Sequence, residues 1–339
     1  MKLNYKSYNL ELKHTFGIAR SSHKIQRSLI VRLEQDGIVG YGEAVENSYY
    51  GFTIEGMIEK LETIRPLIES YSLGSPEKFW DFLNKYLDDY RFLHCAIDIA
   101  ANDLFGKIQG KPLYDLWELN SENMPMTNYT VGIDDIEVMK NKVLEFPWPL
   151  YKIKLGTNND IEIVRTLREL TNSKFRIDAN ASWTIEETIN NSRRLKTLGV
   201  EFIEQPLAAN WWKEMEVVFE NSQLPVIADE SCRIEEDVVK CVGRFHGINV
   251  KLVKAGGLTP ARRMIIQAKK LGLKTMVGCM TESSVGIAAV GQLLPYLDYV
   301  DMDGALLLKK DIAKTHDIID GKVILSKLSG TGVVINDDF

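Results

Sequence analysis

Three acidic residues recur at near-equal spacing, each where a short apolar run ends: Asp178 in "KFRIDAN", Glu204 in "VEFIEQP" and Asp229 in "PVIADES". Taken singly, an acid just ahead of a helix ordinarily serves as an N-cap or a surface ion pair. Three at matched strand ends point to a shared task, because bare carboxylates side by side repel one another unless a divalent cation sits among them. An oxygen-only set suits Mg²⁺ or Mn²⁺ better than zinc. Lysines flank the acids, Lys152 and Lys154 in "LYKIKLG" and Lys251 in "NVKLVKAGG". Period-two alternation puts Lys152 and Lys154 on one face of a strand, and Lys251 on the same face as Asn249. Burying an ammonium is costly unless acids or a task offset it. The task these types suggest is proton transfer at carbon. A lysine beside another lysine and a dication is expected to have its pKa lowered towards that of a general base, while the cation stabilises the enediolate formed next to a substrate carboxylate.

Repeating units must position these groups. From about residue 124 eight short apolar runs alternate with amphipathic helices: "MTNYTVGI", "LYKIKLG", "KFRIDAN", "VEFIEQP", "PVIADES", "GINVKLVKAGG", "KTMVGCMTE" and "YVDMDGALLL". The steps from Lys154 through Asp178, Glu204 and Asp229 to Lys251 are 24, 26, 25 and 22 residues, the length of a β-loop-α-loop unit. Eight such units predict an α/β fold of the closed TIM-barrel type, with its active site at the carboxyl ends of the strands. An open doubly wound sheet would usually carry GxGxxG at its first turn, and the chain has none. Residues 1–115 read differently, as strands "YNLELKHTF", "RSLIVRLEQDG" and "VGYGEA" with a hairpin turn at Gln35-Asp36-Gly37, then two amphipathic helices, a small α+β domain.

Composition narrows the class. With 45% hydrophobic and 26% charged residues and a net charge of −6, the chain lacks the basic excess of nucleic-acid binders. Four scattered cysteines without a CxxC pair fit a reducing cytoplasm, and no run of about 18 apolar residues predicts a membrane span. The histidines show no HxH or HExxH spacing, and no nucleophile elbow is visible. "KAGG" could cradle a phosphate, but paired glycines after a strand more often serve a turn; Trp211-Trp212 reads as packing at a helix start.

The motifs "KIK", "DAN", "EQP", "ADES", "KLVKAGG" and "DMD" together resemble the enolase superfamily, muconate-lactonizing subgroup, and most closely its dipeptide epimerases such as those acting on L-Ala-D/L-Glu. Lysine bases beside Mg²⁺ are a known feature of that superfamily. The resemblance implies a modified (β/α)7β barrel over 124–315, an N-terminal α+β capping domain over 1–115, and a tail, 316–339, packing back on the cap. It also implies Lys154 and Lys251 as the two bases with Lys152 beside them, and Asp178, Glu204 and Asp229 as ligands for Mg²⁺, with Mn²⁺ an alternative. Thr130, Lys152, Cys279 and Thr281 match substrate-contacting positions, and Asp301 and Asp303 match the DxD element that holds a substrate's free ammonium. Cap loops 17–25 and 46–52 would set selectivity: Arg20 would meet a glutamyl carboxylate, or Tyr49, Tyr50 and Phe52 an apolar side chain. The implied reaction inverts the α-carbon of the C-terminal residue of an L-Ala-X dipeptide by 1,1-proton transfer, within peptidoglycan-peptide metabolism. The implied enzyme is a cytoplasmic homo-oligomer acting on a small molecule. Other reactions of the subgroup are o-succinylbenzoate synthesis, N-acylamino acid racemisation and cycloisomerisation; DxD argues against them, since their substrates lack a free ammonium. Filled catalytic positions argue against a non-catalytic binding protein.

Overall fold

A computed structural model describes residues 1–19 and 21–336. Alternation of buried and exposed positions makes β1 (Lys2–Ile18), β2 (Ser21–Gln35) and β3 (Ile38–Val45) an antiparallel meander. The β2–β3 turn is the predicted one: Asp36 and Gly37 both take positive φ, 52° and 79°, which matches the twist of the flanking strands. Helices α1 (Ile54–Glu69) and α3 (Arg91–Ile108) pack on the sheet, and α2 (Pro76–Leu87) packs on α3. In α1 the buried stripe is Ile54, Met57, Leu61, Ile64 and Ile68, whereas Ile58 and Leu67, which share the apolar spacing, sit half-buried at its edges. Helix α3 lies almost against β3, because a Cβ at Gly42 would stand 2.0 Å from the Ala96 carbonyl oxygen.

After the single turn α4 (Leu113–Leu116), eight strands follow in order around one parallel sheet: β4 (Tyr129–Val131), β5 (Leu150–Lys154), β6 (Lys174–Asp178), β7 (Val200–Glu204), β8 (Val226–Ala228), β9 (Gly247–Lys251), β10 (Lys274–Gly278) and β11 (Tyr299–Asp301). The helices between them are α5 (Ile136–Glu145), α6 (Asp160–Leu170), α7 (Ile185–Thr197), α8 (Trp212–Asn221), α9 (Glu235–Lys240), α10 (Leu252–Ala255) with α11 (Leu258–Lys270), and α12 (Ser284–Leu293). A 3₁₀ turn, Gly304–Leu307, follows β11 in place of an eighth helix, so the barrel is of the (β/α)7β kind. The ring closes through a bridge between Thr127 and Val300, reinforced by Met302 N donating to Thr127 Oγ1 at 2.9 Å and Asn128 Nδ2 to Asp301 Oδ1 at 2.7 Å. Deeper in the barrel, Arg176 is satisfied by Glu201 at 2.8 Å and the Val300 carbonyl at 2.9 Å, with its guanidinium over Phe202 and Tyr299.

Buried carboxylates fasten the N-terminal elements to the barrel. Asp98 of α3 accepts from Thr259 N at 2.9 Å and Thr259 Oγ1 at 2.7 Å, at the start of α11. Glu43 of β3 accepts from Ser283 N at 3.0 Å, Ser283 Oγ at 2.6 Å and Gly286 N at 2.9 Å, at the start of α12. Asp103 takes Thr331 N at 2.8 Å and Tyr41 N at 2.9 Å, joining α3 to the C-terminal segment. The donors are helix-start and C-terminal-segment N–H groups, with one from β3 itself, that burial keeps from solvent.

Candidate active site

Asp178 and Glu204 end β6 and β7, and Asp229 follows β8 directly; one carboxylate oxygen from each lies within 4.8 Å of the other two, and all three residues are buried. The strand ends are strained to present them. Asn180, Ala181 and Gln205, just beyond the first two acids, take φ of 44°, 62° and 34°, a region side chains avoid. Local bonds stabilise this backbone: Asn180 N donates to Asp178 Oδ1 at 3.0 Å, and Ala181 N to the Gln205 carbonyl at 2.8 Å. The Gln205 side chain in turn receives Asp229 N and Ser231 N, each at 3.0 Å, and so fixes the third acid.

The lysines meet these acids as the alternation predicts. Lys152 Nζ lies 2.9 Å from Glu204, 3.1 Å from Asp178 and 2.9 Å from Asp301; Lys154 is 2.6 Å from Asp178, and Lys251 is 2.8 Å from Asp229. A fourth lysine, absent from the sequence candidates, joins them: Lys254 is buried with its ammonium on Asp229 Oδ1 and on the Cys232 carbonyl at 3.1 Å. Asn249 also takes part, donating to Glu204 Oε1 at 2.9 Å.

Burial alone would raise the Asp178 carboxyl, but Lys154 and then Lys152 hold it well below the carboxylate range. The same contest at Asp229 is won by Lys251 and Lys254. Glu204 differs: burial and then the neighbouring Asp178 push it up to about 7. Burial would lower the Lys251 ammonium, yet Asp229 more than reverses this, with Lys152 opposing; Lys152 is likewise held high by Asp301, Glu204 and Asp178. At both lysines the facing carboxylates outweigh burial and the neighbouring ammonium, and a dication engaging those carboxylates would weaken that hold.

The three acids fit a hard dication. They offer oxygen only, and Glu204 Oε2 is buried without accepting a hydrogen bond although Lys152 Nζ is 2.9 Å away. Their ring opens into a cavity of about 550 Å³ lined by Lys152, Lys154, Asp229 and Lys251 and by the candidate contacts Thr130, Cys279, Thr281, Asp301 and Asp303.

The two aspartates of "DMD" are not equivalent. Asp301 is engaged by Lys152 at 2.9 Å and by Asn128 Nδ2 at 2.7 Å. Asp303 accepts from the Thr130 backbone N–H, lies 4.0 Å from Cys279 Sγ, and among the described residues has no lysine or arginine partner. Burial and then Asp301 raise its carboxyl well above the usual range. Thr130 thus contributes its main chain to Asp303, while its hydroxyl accepts from Asn128 Nδ2 at 3.4 Å.

Of the cap residues, Tyr49, Tyr50 and Phe52 line the cavity, but Phe52 also stacks on Phe92 with centroids 4.5 Å apart, so its ring is shared with the cap core. Arg20 lies outside the described residues. Cavity-lining residues that sequence reasoning did not single out include Phe16, His23 and an Arg27–Glu46 pair at 2.9 Å. The "KAGG" segment holds no phosphate cradle: the start of α11 is occupied by Asp98, and a Cβ at Gly257, whose φ is 122°, would stand 2.3 Å from Asp98 Oδ2. Among the described residues no helix is long and apolar enough to cross a membrane.

Comparison with known proteins agrees with this geometry. Residues 5–117 match the mandelate racemase / muconate lactonizing enzyme N-terminal domain, and residues 136–339 match the enolase C-terminal domain-like family. An L-Ala-D/L-amino acid epimerase of Flavobacterium johnsoniae is 58% identical over 335 residues, covering 99% of this chain and 100% of that protein. The substrate-liganded L-Ala-D/L-Glu epimerase of Bacillus subtilis is 25% identical with a TM-score of 0.93, over 98% of this chain and 99% of that one. A dipeptide epimerase of Enterococcus faecalis complexed with Mg and L-Leu-L-Tyr is 29% identical with a TM-score of 0.89, over 98% of each chain. A barrel mouth with three clustered acids between lysines, under a cap matching that N-terminal family, places the chain in the enolase superfamily, in its mandelate racemase / muconate lactonizing branch.

Proposed function

We infer that the protein is a Mg²⁺-dependent dipeptide epimerase that inverts the α-carbon of the C-terminal residue of L-Ala-X dipeptides. The observation that carries this reading is the placement of Lys154 on β5 and Lys251 on β9, four strands apart in a ring of eight, with both side chains facing one cavity. Amines on opposite sides of a bound α-carbon can each remove or deliver a proton on one face. Asp178, Glu204 and Asp229 would hold the cation, which supplies charge stabilisation for the enediolate oxygens. Lys152 keeps Asp178, Glu204 and Asp301 in register from the centre of the cluster. The names of the relatives support a dipeptide as substrate. Four free cysteines agree with a reducing cytoplasm.

A carboxyl without a cationic partner supports recognition of a free amine, whose ammonium would favour ionisation of that carboxyl. Four acids, Asp178, Glu204, Asp229 and Asp301, are matched by Lys152, Lys154, Lys251 and Lys254, whereas Asp303 has no lysine or arginine partner among the described residues. Asp303→Asn is expected to lower kcat/KM for free dipeptides by roughly 10- to 100-fold, the cost of losing a charged hydrogen bond, and to change N-acetylated dipeptides little. Equal losses on both would remove the ammonium role. The side chain X would meet Tyr49, Tyr50 and Phe52 and an Arg27 already paired with Glu46, and α-deuterium uptake across an L-Ala-X library measures which X is accepted.

The pKa of Glu204 gives a further expectation. Its carboxyl, pushed up to about 7, must lose its proton before it can bind a cation, so Mg²⁺ affinity should be full above pH 7. Below that value the Kd should weaken about tenfold per pH unit, one proton being displaced per ion bound. Titration calorimetry between pH 5.5 and 8.5 checks the slope, and a flat profile would contradict it.

A further inference from the structure

The loop from β10 to α12 carries Cys279 and Thr281 into the cavity, yet its far end is held by the cap. Glu43 is fully buried on β3, and its carboxylate gathers Ser283 N at 3.0 Å, Ser283 Oγ at 2.6 Å, Gly286 N at 2.9 Å and, from its own sheet, Ser28 Oγ at 2.6 Å. All ten residues of α12 are buried, so the N–H groups at its start have no access to water as an alternative partner. A carboxylate at that position is also favoured by the helix dipole. Four residues beyond Glu43, Asn47 closes the cap loop by pairing with Phe52 and places its Nδ2 3.9 Å from the Met280 sulfur. Two parts of the cavity lining, loop 46–52 and segment 279–281, thus converge on one short piece of cap, where Glu43 bonds the start of α12 beside Asp311, which takes Ser284 N.

We propose that Glu43 is a positioning residue for substrate: it sets segment 279–281 against loop 46–52, so that dipeptide affinity depends on it while metal binding and proton transfer do not. The inference rests on the dipeptide epimerase reading above. Asp98 supplies the matched control. It too is a buried cap carboxylate at the start of a barrel helix, but residues 252–257, which lead into that helix, line no part of the cavity.

Glu43→Gln keeps the volume and places an amide NH₂ where an acceptor stood. It is expected to raise KM about tenfold, with kcat within about twofold of wild type and an unchanged Mg²⁺ Kd. Ser283→Ala, which removes the hydroxyl bond to Glu43 and leaves the two backbone N–H bonds, should raise KM in the same direction by a smaller factor, and the double variant should be no worse than Glu43→Gln. Asp98→Asn should lower Tm comparably and leave KM alone. If Glu43→Gln does not accumulate as folded protein, Ser283→Ala decides the point. A lowered Tm with wild-type KM in these variants would overturn the proposal, as would an equal rise in KM for Asp98→Asn. A wild-type chain that epimerised no dipeptide would sink the functional reading and this role together; a wild-type chain that did so, with KM unmoved in Glu43→Gln, would sink this role alone.

Discussion

With Lys154 replaced by alanine, one epimer of an L-Ala-X dipeptide is expected to go on exchanging its α-proton with D₂O through Lys251, while net interconversion falls by ~10²- to 10⁴-fold or more. With Lys251→Ala, the opposite epimer should exchange. The reason is the ring: β5 and β9 face each other across the barrel, so each amine reaches one face of the substrate carbon. Neither variant leaves a buried carboxylate stranded, which makes the test practicable. Asp178 keeps Lys152 at 3.1 Å when Lys154 is lost, and Asp229 keeps Lys254 when Lys251 is lost. Proton NMR of both diastereomers in D₂O reads the result directly. Interconversion of both epimers at near wild-type rate by either variant would end the two-base account.

Chelation should have a comparably large effect. After EDTA treatment and verified metal depletion, turnover should fall to background and return on adding Mg²⁺ or Mn²⁺, because the ligand set of Asp178, Glu204 and Asp229 contains oxygen alone. Folding should survive the treatment, since lysines already lie against all three acids. Circular dichroism and thermal melting separate the two effects. Full activity in the depleted protein would refute the assignment.

The acids and Lys152, Lys154 and Lys251 were legible because they obey local periods: one β-loop-α-loop step between acids, and two residues between lysines on a strand face. Lys254 was not, because the chain leaves β9 straight into the one-turn helix α10, where strand alternation no longer says which way a side chain points. The different roles of Asp301 and Asp303 were also hidden. "DMD" is symmetrical in sequence, and only closure of the ring brings Lys152 and Asn128 onto the first aspartate and the Thr130 N–H onto the second. The electrostatic balance at each lysine was hidden for a related reason: it depends on which carboxylates face each ammonium, which is a property of tertiary arrangement. Glu43 and Asp98 could not be singled out from sequence, because their partners lie 240 and 161 residues away.

The carboxylates that Glu43 and Asp98 send across to α12 and α11 bear on how such a chain can be recombined. A chimera that joined this barrel to a foreign cap without acids at those two places would strand the first N–H groups of both helices in a dry contact, at ~1–3 kcal/mol for each group left unpaired. The reverse graft would bury the acids with nothing to neutralise them. Cap and barrel therefore carry complementary halves of one lock, and exchange of either between relatives is expected to succeed only where the acid and the helix start that receives it travel together.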